Sequence, residues 1–165
     1  MTWISVDPGR HTGLVAWEGD RPVAWKQVDS PSKMDFVDWL PYIVGNVKAF
    51  ALMHQADAMA IEQPFIDPGR PATQLNALVA SLRTLGRRQS WATKVYPQST
   101  VKARIRPQGS AGMDDKEMLR LAVRMVYGED TRDLPQDIID AIACGHCHLS
   151  VAGEANILKE RTINA

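Results

Sequence analysis

The sequence predicts an α/β fold: a five-stranded mixed sheet in the order βββαβαβ, followed by C-terminal helices, with helices on both faces. Three observations predict it. Three short apolar runs separated by tight-turn residues open the chain, the pattern of an antiparallel meander. Stretches of helical apolar period then alternate with two further short buried runs, as strands joined by crossover helices do. The last third carries two long helical stretches that are available to cover the sheet.

The elements follow in order. "WISVD" is a short apolar strand ending on Asp7, and "PGRHTG" supplies turn residues before a second strand, "LVAWEG". The pair Gly19-Asp20 makes a tight turn into a third strand, "PVAWKQV". "SPSKMDFVDWLPYIVGNVKAFALMHQ" opens on capping-type Ser and Pro and reads mainly as helix, with Pro41 and Gly45 expected to kink or divide it. "AMAIE" is a fourth, buried strand ending on Glu62. The stripe Leu75, Leu78, Val79, Leu82 and Leu85 marks a helix over "ATQLNALVASLRTLGRR". "WATKVYP" is the fifth strand, "QSTVKARI" a short helix and "RPQGSAGM" a Gly/Ser loop. "DDKEMLRLAVRMVYG" has an Asp cap and an amphipathic pattern, and "LPQDIIDAIACGHCHLSVAG" is the last long helix.

At 165 residues the chain fits a single domain, 1–165, with an ordinary globular composition. No run of 18 apolar residues suggests a membrane span, and the N-terminus reads as a strand where a secretion signal would have a basic region and a long apolar run. Two cysteines in a chain so read imply reduced thiols and a cytoplasmic location. The formal net charge is zero, but its distribution is uneven. From Pro68 to Met113 there is no acid, while Arg70, Arg83, Arg87, Arg88, Lys94, Lys102, Arg104 and Arg106 are all basic. Such a block inside a neutral protein suits a track for a phosphate backbone.

Four carboxylates occupy positions where metal chemistry would need them. Asp7 and Glu62 close two strands, and neighbouring strands would bring both to one sheet edge. Asp137 and Asp140 lie three apart on the last helix, so they share a face. Converging carboxylates repel one another unless cations sit between them, and oxygen donors of this kind suit magnesium or manganese. Two such ions can clamp the attacking and leaving oxygens of a phosphodiester.

These blocks carry a resemblance. "ISVDPGRHTGLVAW", "AIEQPF", "VKARIRPQGSAGMDDKEML" and "DIIDAIA" are similar, in order and nearly in spacing, to the motifs of the RuvC-type Holliday junction resolvases, nucleases of the RNase H-like superfamily. The likeness extends over about 150 residues. It implies an RNase H-like fold and a homodimer that nicks a four-way DNA junction symmetrically, leaving a 5′-phosphate and a 3′-hydroxyl. It also implies that Asp7, Glu62, Asp137 and Asp140 bind Mg2+ or Mn2+, two ions per site, and catalyse the cut. Lys116 would stand near the scissile phosphate, Lys102 on the backbone, and Phe65 against bases at the branch point. The basic block, with Arg70, Arg83, Arg87, Arg88, Arg104 and Arg106, would follow a junction arm. Asp114 and Asp115 beside Lys116 are expected to offset part of its charge.

Other readings attach to other features. Related RNase H-like nucleases that process structured RNA share the first and last acids, and "DPGRHTG" resembles the phosphate loop of actin-like nucleotide-binding domains, which need a second domain. A DNA-binding scaffold without catalysis is the non-enzymatic reading. The literal C-x-x-C-H from Cys144 to His148 has the spacing of covalent haem attachment. In a helix without an export signal, however, it reads as close-packed core, so neither haem nor zinc is expected there.

Overall fold

The structure, a computed structural model, describes residues 1–65 and 73–163, apart from the side chains of Thr73 and of residues 154–163. Strands β1 (Thr2–Asp7), β2 (His11–Glu18), β3 (Arg21–Asp29), β4 (Ala58–Gln63) and β5 (Ala92–Pro97) form one sheet in the order β3-β2-β1-β4-β5. The first three strands are antiparallel, whereas β1–β4 and β4–β5 are parallel, as crossover connections require. Helices α1 (Phe36–Met53), α2 (Thr73–Arg88), α3 (Gln98–Ile105), α4 (Asp115–Tyr127) and α5 (Gln136–Ile163) complete the fold.

Alternation along the strands divides the core between the two faces. Ile4, Val6, Leu14, Met59 and Ile61 point toward α1 and α2, where Trp39, Ile43, Val47, Leu78 and Leu82 meet them. Trp3, Val15, Trp17 and Ala60 point toward α3, α4 and α5, against Val101, Met118, Ile138, Ile142, Cys144 and Cys147. Helices therefore pack on both faces, as the sequence predicts.

Several expectations are not met. α5 runs to Ile163, past the predicted end at Gly153. β2 begins at His11 rather than Leu14, so the turn after Asp7 is confined to Pro8, Gly9 and Arg10. α1 starts behind Asp35 instead of at the Ser-Pro segment. Neither Pro41 nor Gly45 divides it. The bond Pro41 cannot donate would go to the carbonyl of Val37, a residue 78% exposed, where solvent can take its place. Gly45 has open space where a Cβ would stand, so it weakens the helix without marking a break.

Candidate active site at the β1/β4 edge

The parallel register places Val6 beside Ile61. Both point toward α1 and α2, so Asp7 and Glu62, one residue on, point the other way, toward α5, at the carboxyl ends of two adjacent strands. Glu62 is only 4% exposed. Backbone packing brings α5 down onto this edge. Gly13 pairs with Asp7 across β1 and β2, and a Cβ added to it would run into the Asp137 carbonyl. The first turn of α5 thus rests directly on the β2 backbone, a close approach that requires glycine. One turn further along, Trp17 Nε1 donates to Ser5 Oγ (2.8 Å), and the Ser5 hydroxyl donates to the Ala141 carbonyl (2.6 Å). This buried relay fixes the helix against β1 and β2.

The electrostatics follow from that packing. Burial is the leading cause that pushes the Asp7 carboxyl well above the ordinary range, and Glu62, Asp140 and Asp137 add to it in that order. Glu62 is pushed up to about 8, first by burial and then by Asp140, while the Gln98 amide and Lys102 pull it down. Asp140 is raised by burial and by Asp137, against a 2.8 Å hydrogen bond from the Gln136 amide and the charges of Lys102 and Lys116. Asp137 is raised first by burial and also by Asp29, while His11, the leading charge partner, a backbone hydrogen bond and Lys116 pull it down. The closely coupled set is therefore Asp7, Glu62 and Asp140, with Asp137 on the β2/β3 flank. Among the described residues, no three Asp, Glu, His or Cys side chains stand in an arrangement that would already hold an ion. The cluster is a concentration of hard oxygen donors whose mutual repulsion a divalent cation would relieve, and in donor chemistry it fits magnesium or manganese.

The basic candidates divide by position. Lys102 sits on α3, whose Val101 and Ile105 anchor it in the α5-side core, and its charge reaches Glu62 and Asp140. Lys116 opens α4 and its charge reaches Asp137 and Asp140. The two acids beside Lys116 are occupied elsewhere, contrary to expectation. Asp114 Oδ2 caps α4 by accepting from the backbone N–H groups of Lys116 (3.1 Å) and Glu117 (3.4 Å). Asp115 pairs with Lys102 (2.7 Å) and Arg106 (3.4 Å), so Lys102 is the partly neutralised lysine. Arg104 and Arg106 are exposed on and just after α3. Arg83, Arg87 and Arg88 are exposed on α2, which leaves the site edge after β4 and ends beside the start of β5, so Arg87 and Arg88 lie at the opposite edge of the sheet. Phe65 follows β4 and is 74% exposed. Arg70 lies outside the described residues.

The tail of the same helix looks different. Cys144 and Cys147 are fully buried, with their thiols pushed up, that of Cys147 to about 11. His148 Nδ1 is hydrogen-bonded to the Tyr96 hydroxyl (2.8 Å), and His146 Nδ1 to that of Tyr127 (3.0 Å). Burial favours the neutral form of both imidazoles. Buried thiols and imidazoles already bonded to tyrosines do not fit a covalently attached haem or a four-ligand zinc.

Sequence reasoning missed three residues. Gln136 lies four before Asp140 in a helix, a spacing that signals their contact. Gln98, beside Glu62, and His11, read as part of a turn, carried no sequence signal of their own.

No family model matches the chain. The crossover junction endodeoxyribonuclease RuvC of Dehalococcoides mccartyi is 24% identical over 166 residues, covering 97% of this chain and 99% of the relative. That of Syntrophomonas wolfei is 25% identical over 158 residues, 90% of this chain and 88% of the relative. The structure of T. thermophilus RuvC in complex with a Holliday junction substrate superposes with a TM-score of 0.77 at 20% identity, covering 93% of this chain and 96% of that one. The yeast mitochondrial Holliday junction resolvase Ydc2 gives 0.62 at 9% identity, covering 88% and 76%.

Proposed function

We propose, from the premise that the chain is a homologue of the RuvC endonucleases with their RNase H-like fold, that it is a divalent-metal-dependent endonuclease for branched DNA. It resolves four-way junctions by paired nicks. The observation that carries this reading is the placement of Asp7, Glu62 and Asp140 at one sheet edge, each raised by burial and most by another acid, with Asp137 beside them and two lysines within electrostatic reach. A purely structural role would leave this much repulsion uncompensated.

Asp7, Glu62, Asp137 and Asp140 would hold Mg2+ or Mn2+, two ions per site by resemblance. The ions, when bound, supply water activation and charge stabilisation at the leaving 3′-oxygen. The chain's own residues do the positioning. β1 and β4 fix Asp7 and Glu62 side by side, and the Ser5–Trp17 relay and Gly13 set the height of Asp137 and Asp140 above them. Gln136 orients the Asp140 carboxylate. Lys116, with no ion pair among the described residues, is free to offset charge on the phosphate, and Lys102 contacts the backbone beside it. Arg104 and Arg106 continue that contact along α3. Arg70, Arg83, Arg87 and Arg88 extend it over more distant surface, and the exposed Phe65 stacks on bases at the branch point. Paired nicks require two sites, hence a homodimer. Among the described residues no helix is long and apolar enough to cross a membrane.

The test is cleavage of four-way, three-way, flapped and linear DNA, and of structured RNA, with magnesium or manganese. Symmetric nicking of the four-way junction, lost in Asp7→Asn with binding retained, is expected. An Asp7→Asn protein that still nicks DNA, or cleavage confined to RNA, overturns the reading. Light scattering on the free protein checks the dimer.

A further inference from the structure

We propose that His11, oriented by Asp29, contacts the phosphodiester being cut and is a catalytic residue on the β2/β3 flank of the site. The proposal rests on the nuclease reading above and extends it. His11 and Asp29 are directly opposite in the β2/β3 register, and Nδ1 of the imidazole lies 2.7 Å from Asp29 Oδ1. The Gln27 amide donates to the same oxygen at 2.7 Å. Those two hydrogen bonds hold the Asp29 carboxyl below its ordinary range, so it is a carboxylate whenever the enzyme works. A carboxylate at Nδ1 fixes a proton there and leaves Nε2 as the outward nitrogen.

The pair has little structural use. The side chains are 64% and 56% exposed, and an exposed pair of this kind contributes little to folding. Its place is what matters. Val28 and Leu14 point toward α1 and α2, so His11, Gly13 and Asp29 all stand on the α5 side of the sheet. Gly13, two residues from His11, lies under the Asp137 carbonyl, and His11 is the foremost charge acting on Asp137. Lys102 and Lys116 approach the carboxylates from α3 and α4, whereas His11 approaches from β2. A phosphate seated on the cluster would have the lysines on one flank and Nε2 on the other. With its Nδ1 proton held by Asp29, the imidazolium form donates Nε2–H to a non-bridging oxygen of the phosphate.

The experiment is single-turnover cleavage of a four-way DNA junction by the full chain with magnesium, comparing wild type, Asp7→Asn, His11→Ala, His11→Gln, Asp29→Asn and the His11→Ala/Asp29→Asn double variant. His11→Ala is expected to slow cleavage about 10- to 100-fold, the worth of one charge-assisted hydrogen bond, with junction binding and thermal midpoint unchanged. His11→Gln keeps a donor and recovers part of the rate. Asp29→Asn slows cleavage alone but adds nothing in the His11→Ala background, because Asp29 acts only through His11. If wild type cuts, Asp7→Asn does not, and His11→Ala matches wild type, this inference falls while the nuclease reading stands. Additive losses in the double variant also overturn it. Failure of wild type to cut any branched DNA overturns both.

Discussion

The head and the tail of α5 carry the same spacing with opposite consequences. Asp137 and Asp140 are three apart, as are Cys144 and Cys147, so each pair presents one helical face. At the head that face overlooks the carboxyl ends of β1 and β4, where the sheet stops. Seven residues on, it lies over the middle of the sheet, where Trp3 and Trp17 stack at 4.9 Å between the strands and the helix. Spacing names a face; depth relative to the strand ends decides whether that face holds a cleft or a core. A motif read without that depth gives the haem-like C-x-x-C-H and the D-x-x-D equal standing.

The largest expected effect is at the head. Asp140→Asn should lower junction cleavage by about a thousandfold or more, as loss of a charge from a preorganised site does. The Gln136 amide can still bond the new side-chain oxygen, so folding should be kept. A variant with wild-type rates would erase the functional difference between head and tail.

A pair of glycines compares the two ends under the same kind of strain. A Cβ at Gly13 meets the Asp137 backbone, and a Cβ at Gly145 meets the Trp17 indole. Each Gly→Ala change should destabilise by about 1–3 kcal/mol through overpacking. Gly13→Ala displaces the carboxylates directly, so its cleavage rate per folded molecule should fall at least about tenfold. Gly145→Ala presses on the Trp17 indole and reaches the carboxylates only through the Ser5–Ala141 relay, so its loss of rate should be smaller. Chemical denaturation read beside single-turnover cleavage separates the outcomes; equal losses of rate would mean that α5 moves as one rigid rod.

The ends should also respond to pH with different signs. At the head, the folded carboxyls sit above their unfolded values, Glu62 at about 8 against 4.5 and Asp7 raised well beyond 3.8. The folded state then binds more protons than the unfolded one, so without divalent ions stability is greatest below the unfolded values. It falls as pH rises from about 4.5 through 8, by up to about 1.4 kcal/mol per pH unit for each such proton. Asp7→Asn should flatten that slope, and so should added magnesium. At the tail, His146 and His148 are held below 6.5 by burial, so stability is lost there as pH falls through that value, opposing the head's slope. Cys147, at about 11 against an ordinary 9.0, adds its own loss only once the pH passes about 9. Thermal midpoints from pH 5 to 10 read both ends.

The succession of elements, the alternation of faces and the positions of the four acids at element ends were legible because each is a local pattern: period two, period 3.6, and acids where elements begin or stop. What was not legible depends on contacts between distant segments. His11 looked like turn chemistry because Gly and Arg precede it, yet pairing with Asp29 draws it into β2. Asp115 looked like a neighbour of Lys116, but helix geometry turns it to Lys102, thirteen residues back. Pro41 looked like a break, though its missing bond falls on the exposed side of α1.

The smallest effect is expected from the most motif-like residues. Cys144→Ala/Cys147→Ala removes two buried thiols that, among the described residues, make no hydrogen bond to the carboxylates, although both lie within electrostatic reach of Glu62 and Cys144 also of Asp7. The neighbours that orient this turn, Tyr96 on His148 and Tyr127 on His146, keep their bonds. Each substitution should cost about 1 kcal/mol for a small buried volume, and cleavage per folded molecule should match wild type. The Ser5–Ala141 bond lies between the cysteines and the head of α5, so a modest loss of packing behind it does not reach Asp140. A rate loss larger than the stability loss would show that the tail sets the height of the head. The two pairs would then form one functional unit, and the contrast between them would be one of chemistry alone.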